Sequence, residues 1–205
     1  RDRGAPATII NADSAQVYTD LEVLSARPSA AEMQGVEHRL FGTWDGATAC
    51  SAADWAAAAS REIADIHAGG GVPILVGGTG LYVRTLLQGL CDAPPTDPMV
   101  RTALRQEMQA QGHDALYARL VTVDPVAAAR LHPRDESKVL RALEVYQLSG
   151  RRMSEFQEAH GFAERPFTAL IIGLNRDRDA LYRRIEERID WQLAHGLIEE
   201  TKQLL

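Results

Sequence analysis

The sequence predicts an α/β protein, a parallel β-sheet flanked by helices and interrupted by an all-helical insertion. Three observations predict it. Short apolar, β-branched runs alternate with helical patterns over residues 5–90. A proline-rich stretch, A-P-P-T-D-P at residues 93–98, ends that alternation. From residue 99 to about 161 every segment then reads as helix, before an apolar run returns at 167–174. This pattern divides the chain into an α/β core over residues 1–95 and 166–205, and a helical insertion over 96–165.

The first element is A-P-A-T-I-I-N at residues 5–11, a buried strand that stops at the polar pair Asp13-Ser14. Residues 36–44 (V-E-H-R-L-F-G-T-W) are expected to form a second strand. Ser51 opens a helix, with Asp54 at capping-box spacing and Gly69 to Gly71 as the stop. V-P-I-L-V at 72–76 is the next strand, followed by G-G-T-G and a helical L-Y-V-R-T-L-L-Q-G-L. Strand, helix, strand and helix in this order indicate βαβ units. In the insertion, helices are expected over 100–111, 115–123, 125–131 and 137–150, with Gly150 as a C-cap. F-T-A-L-I-I-G-L at 167–174 reads as a buried strand that returns to the sheet. From Asp177 a long amphipathic helix carries Leu181, Ile185, Ile189 and Leu193 at a spacing of four.

With 45% hydrophobic and 24% charged residues, the 205-residue chain is not a disordered tail, and it has no apolar run long enough to span a membrane as a helix. Cys50 and Cys91 form no C-x-x-C, which supports neither a disulfide framework nor a zinc site, so a reducing, cytoplasmic setting is expected; separately, a monomer is expected. Arg1 is an unusual first residue and suggests that sequence upstream is missing. The net charge of −6 argues against nucleic acid, but it is unevenly spread: residues 1–100 carry 6 Arg against 12 acidic residues, while residues 101–205 carry 16 of each sign. Of 22 basic residues only Lys138 and Lys202 are not Arg, which reflects either a bias of the source genome or a supply of forked donors for phosphate.

In an open parallel sheet, ligands bind beyond the carboxyl ends of the strands. N-A-D-S-A-Q-V-Y puts Asp13, Ser14 and Gln16 there: a carboxylate for proton abstraction or for holding a metal, and an amide to read a base edge or a ribose. The alternative is that Asp13 and Ser14 cap a following helix. V-G-G-T-G-L-Y brings a glycine turn and the Thr79 hydroxyl to a helix start, as a phosphate cradle would, or as a tight connection. It is no Walker A loop, since no Lys follows a Gly anywhere in the chain. The six His are scattered without H-E-x-x-H, and there is no G-x-S-x-G, which disfavours metal ligation and serine hydrolysis. Within the insertion, Lys138 and Arg141 stand three apart with Arg151 and Arg152 beyond. They form either a phosphate-contacting face or a solvated surface paired with Asp135, Glu136 and Glu144.

The order and wording of these segments resemble the tRNA dimethylallyltransferase (isopentenyltransferase) family. The stretches that carry the likeness are I-I-N-A-D-S-A-Q-V-Y, A-R-P at 26–28, S-A-A-D-W, P-I-L-V-G-G-T-G-L-Y, L-L-Q-G-L, D-P-V-A-A-A-R-L-H-P-R-D with R-A-L-E-V-Y, and Y-R-R-I-E-E-R. They span nearly the whole chain, and D-S-x-Q-x-Y with G-G-T-G-L-Y is the most specific part. The resemblance implies a P-loop-kinase-like sheet. It implies transfer of a dimethylallyl group from its diphosphate to N6 of adenosine 37 in tRNAs reading codons that begin with U, with the tRNA anticodon loop as partner and Mg²⁺ as cofactor. Asp13 matches the general base toward N6, and Asp13, Ser14, Ala15 and Gln16 match the stretch that contacts the extruded base. Thr79 and Arg101 match tRNA-contacting positions, and Ser137, Lys138, Val139, Leu140 and Arg141 match a further tRNA-contacting segment in the insertion.

The family opens with a P-loop ahead of the strand at Ile9 and closes with a G-Y-[RK]-[QE] region, neither of which is in this sequence. An internal piece of a longer chain is therefore expected, and diphosphate and Mg²⁺ ligands are assigned to no residue. Arg27 stands where the family commonly has Lys, with the charge kept and its geometry changed. Two other functions stay open: prenylation of free adenine nucleotides, and a non-catalytic binding remnant without its P-loop.

Overall fold

Strand β1 (Ala7–Asn11) lies at the centre of a three-stranded parallel sheet, between β2 (Glu37–Arg39) and β3 (Val72–Val76). The registers Ile9↔His38 and Ile10↔Leu75 fix which side chains share a face. The computed structural model describes residues 4–162 and 164–204. It divides into two compact units, Arg1–Gln88 with Arg165–Leu205, and Gly89–Glu164.

In the first unit, helix α1 (Ala30–Met33) is a single turn, and α2 (Ala52–Ala68) begins at the expected capping box. Asp54 N–H donates to Ser51 Oγ at 3.1 Å, and Ser51 N–H donates to Asp54 Oδ2 at 3.2 Å. Trp55, Ala59, Ile63 and Ile66 of α2 bury against Ile10, Val17 and Leu40, and helix α3 (Gly80–Gln88) adds Tyr82 and Leu86. The Trp55 and Tyr82 rings stack at 4.6 Å. That core covers one sheet face. On β3, Val72, Ile74 and Val76 point the other way and stay about half exposed.

Two strand expectations are corrected. The second strand ends at Arg39 instead of running to Trp44, because Leu40 and Gly42 take left-handed φ values of +62° and +57° that no strand accommodates. Residues 167–174 form no strand and do not rejoin the sheet; Leu170, Ile171, Ile172 and Leu174 are 74–98% exposed. Apolar β-branched sequence becomes a strand only where a ladder partner meets it. Beyond it, Asp177 caps α9 (Arg178–Ala194), and α10 (Leu197–Gln203) follows. Leu181, Ile185, Ile189 and Leu193 align along α9 as expected but are half exposed. The polar side of these helices holds the loop at residues 22–25. Glu200 accepts hydrogen bonds from the N–H groups of Glu22, Val23 and Leu24, Gln192 Nε2 donates to the carbonyls of Val23 and Leu24, and Arg188 donates to that of Ser25.

The second unit is all helix, as its pattern implies: α4 (Pro98–Gln111), α5 (His113–Val123), α6 (Pro125–Ala128), α7 (Glu136–Ser149) and α8 (Met153–His160). Leu104, Met108, Leu116, Leu120, Val139, Leu140 and Leu143 form its core. Gly150 ends α7 at φ +69°, the left-handed C-cap that its glycine allows. Buried Asp124 ties α6 to α8, accepting from Ala127 N–H, Ser154 N–H and Ser154 Oγ–H. Burial alone raises its pKa, but these donors, with Arg152 nearby, hold it below the usual carboxylate value. Among the described residues no helix is long and apolar enough to cross a membrane.

Candidate functional site

At the carboxyl end of β1, Asn11 is fully buried and organises the loop beyond the strand. Its Nδ2 donates to the carbonyls of Asp13 and Leu40 at 3.0 Å each, and its Oδ1 accepts from Asp13 N–H at 2.9 Å. Trp55 Nε1–H donates to the Asn11 carbonyl at 2.9 Å. Asp13 is thereby held at both its backbone groups. Its side chain is half-buried, with Oδ1 accepting from Ala15 N–H at 2.8 Å and from Gln16 N–H at 3.3 Å. Asp13 therefore caps a turn and not a helix, and Oδ2 has no hydrogen bond among the described residues. One carboxylate oxygen is fixed and the other is presented.

The glycine turn after β3 meets this loop directly. Ser14 N–H donates to Thr79 Oγ1 at 2.9 Å and Thr79 Oγ1–H reaches Ser14 Oγ at 3.2 Å, while Thr79 N–H donates to the Ala12 carbonyl at 3.1 Å. Gly77 permits the approach, since a Cβ there would stand 2.3 Å from the carbonyl carbon and oxygen of Ala12. Of the two readings of G-G-T-G, the close connection is what the geometry displays: Thr79 is bound to Ser14.

Gln16 is more committed than its motif suggests. Its Nε2 donates to the carbonyls of Ser25 at 3.0 Å and Ala26 at 3.1 Å, the latter residue at φ +48°, which leaves Oε1 without a hydrogen bond among the described residues. Arg27 is likewise structural, donating to the carbonyls of Tyr18 and Thr19 and pairing with Glu22. Burial pushes up both the Cys50 thiol and the Tyr82 phenol, so both stay protonated at neutral pH. Neither is a base. Asp13 is the carboxylate at this end of the sheet, with one oxygen bound to backbone amides.

The second unit carries a separate polar site. Arg101, Thr102 and Arg105 of α4, with Thr96 before it, and Ser137 and Arg141 of α7 line one cavity of about 530 Å³. Arg101 donates to Glu144 Oε2 at 3.4 Å and to the Ser137 carbonyl at 3.5 Å, and Arg141 donates to the same Glu144 oxygen at 3.1 Å and to the Pro94 carbonyl. Glu144 Oε1 accepts from Asp97 N–H at 2.9 Å. Glu144 is 0% exposed, which corrects its expected place on a solvated surface. Lys138 does not line the cavity; it is exposed and pairs with Asp135, whose carboxyl this hydrogen bond holds below its ordinary value. Val139 and Leu140 are core side chains and contribute position only. Sequence reasoning missed Asn11, Glu144 and Arg105 as parts of these sites. The Arg141/Glu144 spacing of three was legible as a pair, but its burial depends on α4 packing over it.

Comparison with known proteins gives a consistent picture. The IPP transferase family model matches residues 16–205. A tRNA dimethylallyltransferase of Geobacter metallireducens is 49% identical over 197 residues, covering 96% of this chain and 64% of that protein. One from Novosphingobium aromaticivorans is 52% identical, covering 100% and 72%. The crystal structure of a full-length tRNA isopentenylpyrophosphate transferase from Bacillus halodurans is 36% identical with TM-score 0.61, covering 97% of this chain and 61% of that one. A eukaryotic dimethylallyltransferase acting on tRNA is 29% identical with TM-score 0.75, covering 97% and 49%. The chain thus spans less than two thirds of the length of several of these proteins.

Proposed function

This chain belongs to the IPP transferase family, and from that premise we propose that it serves transfer of a dimethylallyl group from dimethylallyl diphosphate to N6 of adenosine 37 in tRNAs reading codons that begin with U. Among the residues, the observation that carries the reading is Asp13, with Oδ1 tied to two backbone amides and Oδ2 presented beyond the carboxyl end of β1. An exocyclic amine conjugated with a purine ring is a weak nucleophile. As the N6–C bond forms and the C–O bond to diphosphate breaks, the amine proton passes to Asp13 Oδ2 and the diphosphate leaves with the bonding electron pair. Gln16 offers Oε1 as an acceptor beside that amine. The adenine leaves its stack to reach this loop, which favours an anticodon loop over a duplex. Arg101, Ser137 and Arg141 hold the RNA backbone from the helical unit, with Lys138 adding charge beside them.

The departing diphosphate calls for cations, and Mg²⁺ is the group the family resemblance implies. Among the described residues no three His, Cys, Asp or Glu side chains gather to hold a metal ion. Mg²⁺ is therefore assigned to no residue of this chain, and no step of the transfer is routed through it.

Incubating the protein that carries this sequence with labelled dimethylallyl diphosphate and either an unmodified tRNA or AMP tests the reading. Label is expected in tRNA adenosine and not in AMP. Label in AMP alone favours the nucleotide prenyltransferase, and RNA binding without any product favours the non-catalytic remnant; either result overturns the proposal.

A further inference from the structure

The cavity of the helical unit has an unusual charge balance. Arg101 and Arg141 converge on one oxygen of the fully buried Glu144, at 3.4 and 3.1 Å, and each is further anchored to a backbone carbonyl. These two arginine side chains are 16% and 27% exposed and are held at several points, so they are positioned groups with little freedom to follow a ligand. Their shared carboxylate leaves the trio one net positive charge. The third guanidinium on the cavity, Arg105, lies one helical turn along α4 from Arg101 and has no hydrogen bond or ion pair among the described residues. The nearby carboxylate of Glu107 is paired with Arg119. Thr96 and Thr102 border the same space.

Resting on the reading of this unit as an RNA contact, we infer that Arg105 is a further RNA-binding residue, an exposed cation that contacts one backbone phosphate which the fixed pair Arg101 and Arg141 orients. A phosphodiester carries one negative charge, which suits a notch with two net positive charges and threonines at its rim; a free diphosphate carries more charge than the notch neutralises. Glu144 is the positioning residue of this arrangement. It holds two forks in register, and by cancelling one of them it makes the unpaired Arg105 the group that decides affinity.

The test measures binding of an unmodified tRNA as a function of salt for the full protein, Arg105→Gln and Arg101→Gln, with thermal melting as a check of folding. Arg105→Gln is expected to weaken tRNA binding about ten-fold at ~0.1 M salt and to lower the slope of log K against log salt by about one, with melting unchanged. If Arg101→Gln weakens binding and Arg105→Gln alters neither affinity nor slope, the role of Arg105 is overturned while the RNA reading stands. If neither variant has an effect, both fail. Displacement of tRNA by inorganic diphosphate at constant ionic strength, lost in Arg105→Gln, would assign the notch to a free diphosphate and overturn the inference.

Discussion

Gly77→Ala should damage both stability and catalysis, through one contact. The new Cβ would meet the Ala12 carbonyl carbon and oxygen at 2.3 Å, where ordinary contact begins near 3.4 Å, so the two loops must separate by about 1 Å. Two hydrogen bonds cross that seam: Ala12 N–H to the Val76 carbonyl at 2.8 Å and Thr79 N–H to the Ala12 carbonyl at 3.1 Å. A shift of that size takes both past bonding distance, costing about 1 kcal/mol each, and residual overpacking adds about 1–2 kcal/mol. The sum, about 3–4 kcal/mol, corresponds to a fall in Tm of roughly 6–16 °C for a chain of this size. The same movement pulls Thr79 from Ser14 and displaces Asp13, and a misplacement near 1 Å at a reacting group costs on the order of 100-fold in rate. Differential scanning calorimetry and single-turnover transfer to tRNA read the two effects. A Gly77→Ala protein with Tm within about 2 °C of the parent and undiminished rate would refute the reasoning that this close approach builds the site.

Other outcomes rest on single contacts. Asn11→Ala removes three hydrogen bonds from a fully buried position and should cost about 2–4 kcal/mol in chemical denaturation while slowing transfer, since Asp13 loses its backbone anchor. Glu144→Gln leaves two guanidiniums without their counter-charge; solvent reaches both in part, so the expected loss is about 2–4 kcal/mol, measured by urea unfolding. Ser154→Ala bears on pH. Asp124 has a depressed pKa when folded, so its stabilisation is present above the unfolded value of 3.8 and is lost as pH falls through the folded value. Losing the Ser154 hydroxyl, which donates to its Oδ1, raises the folded pKa, so the variant should be less stable at neutral pH and its acid-unfolding midpoint should move to higher pH.

What the sequence made legible was local. Ser51 with Asp54, Gly150 as a C-cap, and the runs at β1 and β3 all behave as their chemistry dictates, because caps and short apolar strands are decided within a few residues. The misread segments depend on partners far along the chain. Residues 167–174 have strand composition and no ladder to join, and the second strand stops where Leu40 and Gly42 turn left-handed. The sites divide in the same way. Asp13, Ser14, Gln16 and Thr79 were readable from two motifs, and the structure joins them through Ser14 and Thr79. That Gln16 spends its amide donors on Ser25 and Ala26, and that Glu144 is buried beneath two arginines, is set by tertiary packing, of which the neighbouring residues show only the Arg141/Glu144 spacing.

We propose that Asp13 Oδ2 takes the proton from the attacking amine. Single-turnover transfer from dimethylallyl diphosphate to tRNA by Asp13→Asn tests it most directly, since Asn keeps an oxygen for the amides of Ala15 and Gln16 and removes the basic group. The expected rate is lower by about 10²–10⁴, with tRNA affinity within about two-fold of the parent. An Asp13→Asn protein that transfers at the full rate would contradict it.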